Sequence, residues 1–128
     1  AVTTSSTPVF PGIELPAGTH VSGVGSFTHE MQEVDVDVVR RARVVVEDRE
    51  SAMEEAGDLI IPVEAGDVPP EIIDCELGDI VNGAAPEGSA GRELTFFKSV
   101  GTAVQDVAVG AAVLRAAEEA GVGTVLEL

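Results

Sequence analysis

Two glycine-bearing junctions hold the residues best suited to chemistry. The first is Gly23-Val24-Gly25-Ser26, inside "VSGVGSFTHE". Glycines at the C-terminal end of a strand let the backbone approach a ligand closely, and that edge of an open α/β sheet is where ligands bind. A plain tight turn accounts for the same two glycines equally well on local grounds. Thr28 stands where a dinucleotide fingerprint needs a third glycine, and no Walker sequence occurs. The second junction is Ser99-Val100-Gly101 in "FFKSVGTAVQD", where a strand-like segment gives way to an alanine- and valine-rich run. A helix beginning at Gly101 would leave first-turn amides unpaired in a region of partial positive charge, with the Ser99 hydroxyl beside them. A carboxylate or carboxamide could be held there. The competing account is structural: Gly101 permits tight helix–strand packing and Ser99 caps the helix.

Other chemistries have little support. His20, His29 and Cys75 lack the close spacings of a zinc site, so no metal is expected. No Gly-x-Ser-x-Gly elbow appears. Cys75 is the only cysteine, which rules out an intrachain disulfide and points to a reducing, cytoplasmic setting. Neither a signal-peptide pattern nor a run of about 20 apolar residues is present, so no membrane span is expected. Twenty-three acids against seven bases give a net charge of −16, which disfavours nucleic acid or an anionic membrane as partner. The acids run from Glu14 to Glu127 without forming a block. That spread favours a solvated surface suited to high salt over an acidic docking face for a basic partner.

These junctions need elements to position them. At 128 residues the chain can bury one real core, and with 45% hydrophobic but only 3% aromatic residues that core is aliphatic, as buried parallel strands prefer. A strand is expected over 20–24, then a helix over 36–42 capped by Asp35. "RVVVED" reads as a strand covered on both faces. Asp48 can cap a second helix through Glu55, with Gly57 as its C′ residue. "DLIIPV" is another apolar burst, and Pro69-Pro70 fit the first turn of a helix carrying Ile72, Ile73 and Leu77. "APEGSAGR" reads as a loop and "ELTFFKSV" as a strand. About five turns of helix follow from Gly101, with Val104, Val107, Ala108, Ala111 and Leu114 on one stripe. "GTVLEL" closes as a strand. Strand and helix alternate, the α/β pattern with a parallel sheet. Ala1-Val2 read as the tail of a buried strand followed by a hydroxyl-rich loop, an abrupt opening that suggests a piece of something larger.

Several segments in order carry a family resemblance: "TTSSTPVF", "GTHVSGVGSFTHEMQEVD", "RVVVEDRESAMEEAGDLIIP", "ELGDIVNG", "GRELTFFKSVGTAVQD" and "AGVGTVLEL". Together they resemble the C-terminal part of the ornithine cyclodeaminase/mu-crystallin family, from Ala1 to Leu128, with "TFFKSVGTAVQD" the most diagnostic. The resemblance implies a dinucleotide-dependent enzyme, in a family that includes ornithine cyclodeaminase, an alanine dehydrogenase and reductases of cyclic ketimines and pyrroline carboxylates. It implies the C-terminal half of a Rossmann domain over residues 1–108. A C-terminal helix and strand over 109–128 would join a substrate and dimerisation domain, in a protein that forms homodimers. The glycine-rich pyrophosphate turn would lie upstream, so this chain alone would bind NAD or NADP weakly or not at all.

By position, the resemblance places Thr4, Gly23, Val24, Gly25 and Ser26 near the nicotinamide end of the cofactor. Ser99 would also contact the cofactor and Val100 would face the small-molecule substrate. Ornithine cyclodeaminase has a proton-donating aspartate directly after the position of Ser26; here that residue is Phe27. A lysine four residues later in that enzyme is Met31 here. Phenylalanine can neither donate a proton nor pair with an ammonium group, so no catalytic acid or base is assigned. Imine reduction needs mainly hydride delivery and orientation, and suits this position better than cyclisation of ornithine. True ornithine cyclodeamination, a ligand-binding protein without turnover, and an acidic interaction module are the alternatives.

The charge reading makes the first prediction. Screening should relieve self-repulsion as the Debye length shrinks to ~3 Å near 1 M salt. The melting temperature should therefore rise along a potassium chloride series. A flat or falling trend would restore the acidic docking face.

Overall fold

The computed structural model describes residues 1–86 and 91–126. Four strands, β1 (His20–Gly23), β2 (Ala42–Val46), β3 (Ile73–Glu76) and β4 (Leu94–Lys98), form one sheet in the order β1-β4-β2-β3. Every pairing is parallel. The helices are α1 (Val36–Arg41), α2 (Arg49–Glu55), α3 (Gly57–Glu64), α4 (Leu77–Val81) and α5 (Ala103–Ala120). The α/β expectation holds, and β4, last in sequence, is inserted beside β1. Parallel order places all strand C-termini, and both glycine-bearing junctions, on one edge of the sheet.

Local chemistry starts the helices where the sequence predicts. Asp35 accepts the Val38 amide at 3.2 Å and takes the Gly12 amide on its other oxygen at 2.7 Å. Asp48 accepts both the Ser51 amide at 2.8 Å and its hydroxyl at 2.7 Å, which holds the Asp48 carboxyl below its usual range. Along the strands burial alternates. Val21, Ala42, Val44, Val46, Ile73, Leu94 and Phe96 face α1–α3 and close the core with Val38, Val39, Ala52 and Leu59. On β2 even Val45 is buried, as expected of a covered strand, but His20, Ser22 and Thr95 leave much of the second sheet face exposed.

Five local expectations fail. Ile73 belongs to β3 rather than to a helix entered through Pro69-Pro70. The segment is claimed by tertiary contacts: Arg49 donates to the Ile73 carbonyl at 2.7 Å and to the Asp74 carbonyl at 2.9 Å, and Asp74 accepts the Val44 amide at 2.7 Å where the β2–β3 register shifts. Gly57 does not terminate α2 with a left-handed turn; it opens α3. A Cβ there would collide with the backbone carbonyls of Thr28, His29 and Met31, so close packing explains the glycine. Ala1 and Val2 are exposed and not a strand, although Ala1 exchanges backbone hydrogen bonds with Ser22 and Val24 along the β1 edge. The last helix starts at Ala103, after Gly101 turns the chain at φ 81°. Residues 121–126 form no strand, and Glu127 and Leu128 lie outside the described residues. Part of the "APEGSAGR" loop, 87–90, lies outside them as well.

Helix α5 ends at Gly121 in a left-handed cap, as its sequence signals, yet buries none of its residues. Val104, Val107, Val113 and Leu114 are at least 60% exposed. Among the described residues no helix is long and apolar enough to cross a membrane. The uneven burial predicts uneven mutational cost. Phe96→Ala, emptying a fully buried central site, should cost about 3–5 kcal/mol, whereas Val107→Ala should stay within about 0.5 kcal/mol. Urea melts of the two variants give the comparison.

Candidate functional site

The two junctions meet. β1 and β4 are neighbours, and the Ser99 amide donates to the Gly23 carbonyl at 2.9 Å. Beneath them lies a buried polar network. The Glu33 carboxylate, with no exposure, accepts the amides of Gly25 at 2.7 Å, Ser26 at 2.9 Å and Thr3. Asp58, also fully buried, accepts the amides of Glu33 at 2.7 Å and Val34 at 2.9 Å. Its second oxygen lies 3.2 Å from the ammonium of Lys98, whose side chain is wholly buried and which donates to the Ser26 carbonyl at 2.5 Å. A buried lysine and aspartate survive only when paired and hydrogen-bonded, and here each is. Gly25 must be glycine because a Cβ would fall on the Thr3 backbone and 2.5 Å from Glu33 Oε1. Gly23 leaves room for the Phe96 ring, which a Cβ would meet at 3.0 Å.

At the second junction Glu47, just past β2, ties down the residues ahead of the helix. Ser99 Oγ donates to Glu47 Oε1 at 2.6 Å, Gly101 N donates to Oε2 at 3.2 Å, and Gln105 Nε2 reaches Oε1 at 2.6 Å. The residue at the helix N-cap is Thr102, with no side-chain cap bond, while Ser99 Oγ accepts the Gly101 amide at 3.3 Å. Glu47 and Asp48 also wall an open groove of about 930 Å³ between α2, α4 and α5.

The sequence-predicted residues separate by exposure. Thr4, Val24 and Phe27 are exposed, Phe27 by 49%, and Val100 is half-buried. Ser26 is sealed: its amide serves Glu33, its carbonyl serves Lys98 and its hydroxyl donates to the Met31 carbonyl at 2.8 Å. Glu33, Glu47 and Asp58 were not singled out by sequence reasoning, because nothing local distinguishes three acids among 23. A signal existed only for Lys98, the lone lysine inside an apolar strand. His20 pairs with Thr95 Oγ1 at 2.7 Å on the exposed sheet face, and His29 contacts the Glu54 carbonyl, far from each other in role. No group of three or more potential ligands suited to a metal ion occurs among the described residues.

The model of the ornithine cyclodeaminase/mu-crystallin family matches residues 1–121. A Delta(1)-pyrroline-2-carboxylate reductase of Bacillus cereus is 43% identical over 126 residues, 98% of this chain and 38% of its own length. Among solved structures, the Thermococcus litoralis Delta(1)-pyrroline-2-carboxylate reductase in complex with NADH and L-proline matches with a TM-score of 0.89 at 37% identity, over 98% of this chain and 39% of that one. An archaeal alanine dehydrogenase dimer with bound NAD matches with a TM-score of 0.86 at 31% identity, over 99% and 39%. The chain thus spans well under half the length of the relatives it matches.

Burial pushes the Glu33 carboxyl up, but hydrogen bonds from Thr3, Ser26 and Gly25 outweigh it and hold the group below the usual glutamate range. A folded pKa below the unfolded one adds stability that is complete above the unfolded value and is lost as pH falls through the folded value. Stability should therefore fall on acidification, with Glu33 contributing part of the slope. Glu33→Gln should be less stable at neutral pH and flatter in acid. Urea melts between about pH 6 and 3 give both slopes; parallel slopes would remove Glu33 from the account.

Proposed function

The chain belongs to the ornithine cyclodeaminase/mu-crystallin family, and we propose that it supplies the nicotinamide-side half of an NAD(P)-dependent enzyme that reduces cyclic imines or interconverts small amino and keto acids. The observation that carries this reading is the union of the two junctions at one sheet edge, held by the Glu33–Asp58–Lys98 network. Gly23, Val24 and Gly25 offer backbone, Thr4 an exposed hydroxyl and Ser99 a buried one already bonded to Glu47, and the half-buried Val100 faces the substrate. Ser26, with every polar group engaged, contributes by shaping the turn. The pyrophosphate turn that gives most of a dinucleotide's grip is absent from these 128 residues, so this chain contributes orientation more than affinity.

Phe27 sets the chemistry. It presents an aromatic face where a carboxylate would be needed to receive an ammonium group, and burying that group unpaired costs several kcal/mol. A flat, delocalised C=N substrate suits it better. The same lack of an acid at Phe27 supports the second reading, a ligand-binding protein without turnover. We assign residues 1–108 to the dinucleotide domain and the exposed remainder of α5 onward to a substrate and dimerisation part, because α5 buries nothing against the sheet. A homodimer fits that assignment, the dimeric archaeal relative supports it, and an acidic, salt-tolerant, cytoplasmic protein fits the composition.

A chimera in which this chain replaces the matched 39% of the T. litoralis enzyme tests the proposal. It should reduce Delta(1)-pyrroline-2-carboxylate with NADH or NADPH at least about tenfold faster than it converts ornithine, and Phe27→Asp should narrow that gap. A folded chimera that binds but does not turn over the imine would favour the binding protein. Ornithine conversion at matching rates would return the function to the cyclodeaminase.

A further inference from the structure

The sheet has two faces, and α1–α3 cover only one of them. On the other, within the strands rather than at the edge where the two junctions meet, lies a cavity of about 390 Å³. Its floor is Val45 of β2 and Phe97 of β4. Its wall is α4, where the apolar Leu77 and Ile80 stay 40% and 42% exposed. His20, Arg43 and Thr95 are the polar side chains that border this surface. Volume and lining are those of a small-molecule site, mostly apolar with a few placed polar groups.

The polar groups point to the charge of the ligand. Arg40 and Arg41 reach the carboxylates of Asp67 and Glu93 at 2.7 and 2.8 Å. Arg43, among the described residues, bonds only to neutral acceptors, the Pro86 carbonyl at 3.0 Å and Cys75 Sγ at 3.6 Å, both through Nη2. Its Nε is buried with no partner at all. A guanidinium carries five N–H donors and does not deprotonate, so Arg43 keeps an unpaired positive charge in a chain of net charge −16. His20 spends Nδ1 on Thr95 Oγ1 at 2.7 Å, which leaves Nε2 for another partner.

We propose that this cavity binds a small monocarboxylate with a flat or branched apolar body. The carboxylate pairs with Arg43 beside His20, and the body lies on Val45 and Phe97 against α4. A neutral ligand forgoes the charge pairing, and a second anionic group would be set unpaired against apolar walls. Gly23, Phe27 and Ser99 take no part, so the site stands or falls independently of the reading of the junction edge.

Two probes of one shape test it, phenylpropionate and the neutral phenylpropionamide. Each is titrated into the 128-residue chain to the millimolar range while backbone amide resonances are followed. The carboxylate should shift His20, Arg43, Thr95 and Phe97 at concentrations about tenfold lower than the amide. Arg43→Gln should bring the two probes near parity. Ile80→Trp, which fills the cavity from its exposed rim, should remove both, and it decides the matter if Arg43→Gln loses its dispersed, folded spectrum. Equal shifts by the two probes, a preference that Arg43→Gln leaves intact, or binding that Ile80→Trp leaves intact would overturn the proposal. Shifts confined to Gly23–Ser26 and Ser99 would overturn it too, by placing the acid at the junction edge. Calorimetry on the full-length chimera should show the same preference, again lost in Arg43→Gln. A chimera indifferent to that substitution would mean that the rest of the protein covers this face, and the site would fall.

Discussion

The contact between the Lys98 ammonium and the Asp58 carboxylate is the constraint around which this protein is arranged. Neither group is accessible to water, so each must find its full set of partners inside the fold. Lys98 ends β4, Asp58 lies in the first turn of α3, and the other atoms bonded to them belong to Ser26, Glu33 and Val34. Meeting that requirement fixes the turn after β1 relative to the sheet. It also places Glu33 where its carboxylate gathers the amides of Thr3, Gly25 and Ser26. The turn is thus shaped from below, by buried charge, while its outer face carries the exposed Val24 and Phe27.

The second junction is organised by the same means at the surface. Glu47 leaves β2, reaches across to the end of β4, and ties the first residues beyond it to the sheet. Both junctions therefore have a carboxylate from outside the turn itself that satisfies a backbone amide the turn leaves open. In a chain so rich in acids, three of them do work that sequence alone would credit to solvent.

That division explains what was legible in advance. Asp35 and Asp48 were readable as caps because a helix start is a local event, decided within three residues. Strands β1, β2 and β4 showed in their apolar runs. Ile72 and Ile73 misled, since two prolines ahead of aliphatic residues fit a helix start, and only the reach of Arg49 from across the sheet edge decides for a strand. Gly25 and Gly23 were recognised as close-approach positions, but what approaches Gly25 is the protein's own Thr3 and Glu33. Glu33, Glu47 and Asp58 bond to partners 7 to 58 residues away, which no helix-cap or strand pattern encodes.

The burial of Lys98 also sets how these residues meet amine-directed reagents. It is the only lysine among the 128 residues, so their folded form presents no ε-amine to solvent. Acylating reagents and amine crosslinkers have no lysine to reach here in the native state. One appears when the β4 core opens, because an ammonium released from Asp58 and Ser26 becomes an ordinary nucleophilic lysine once it deprotonates. The residue that holds the fold together is in this way its own built-in marker of molecules that have come apart.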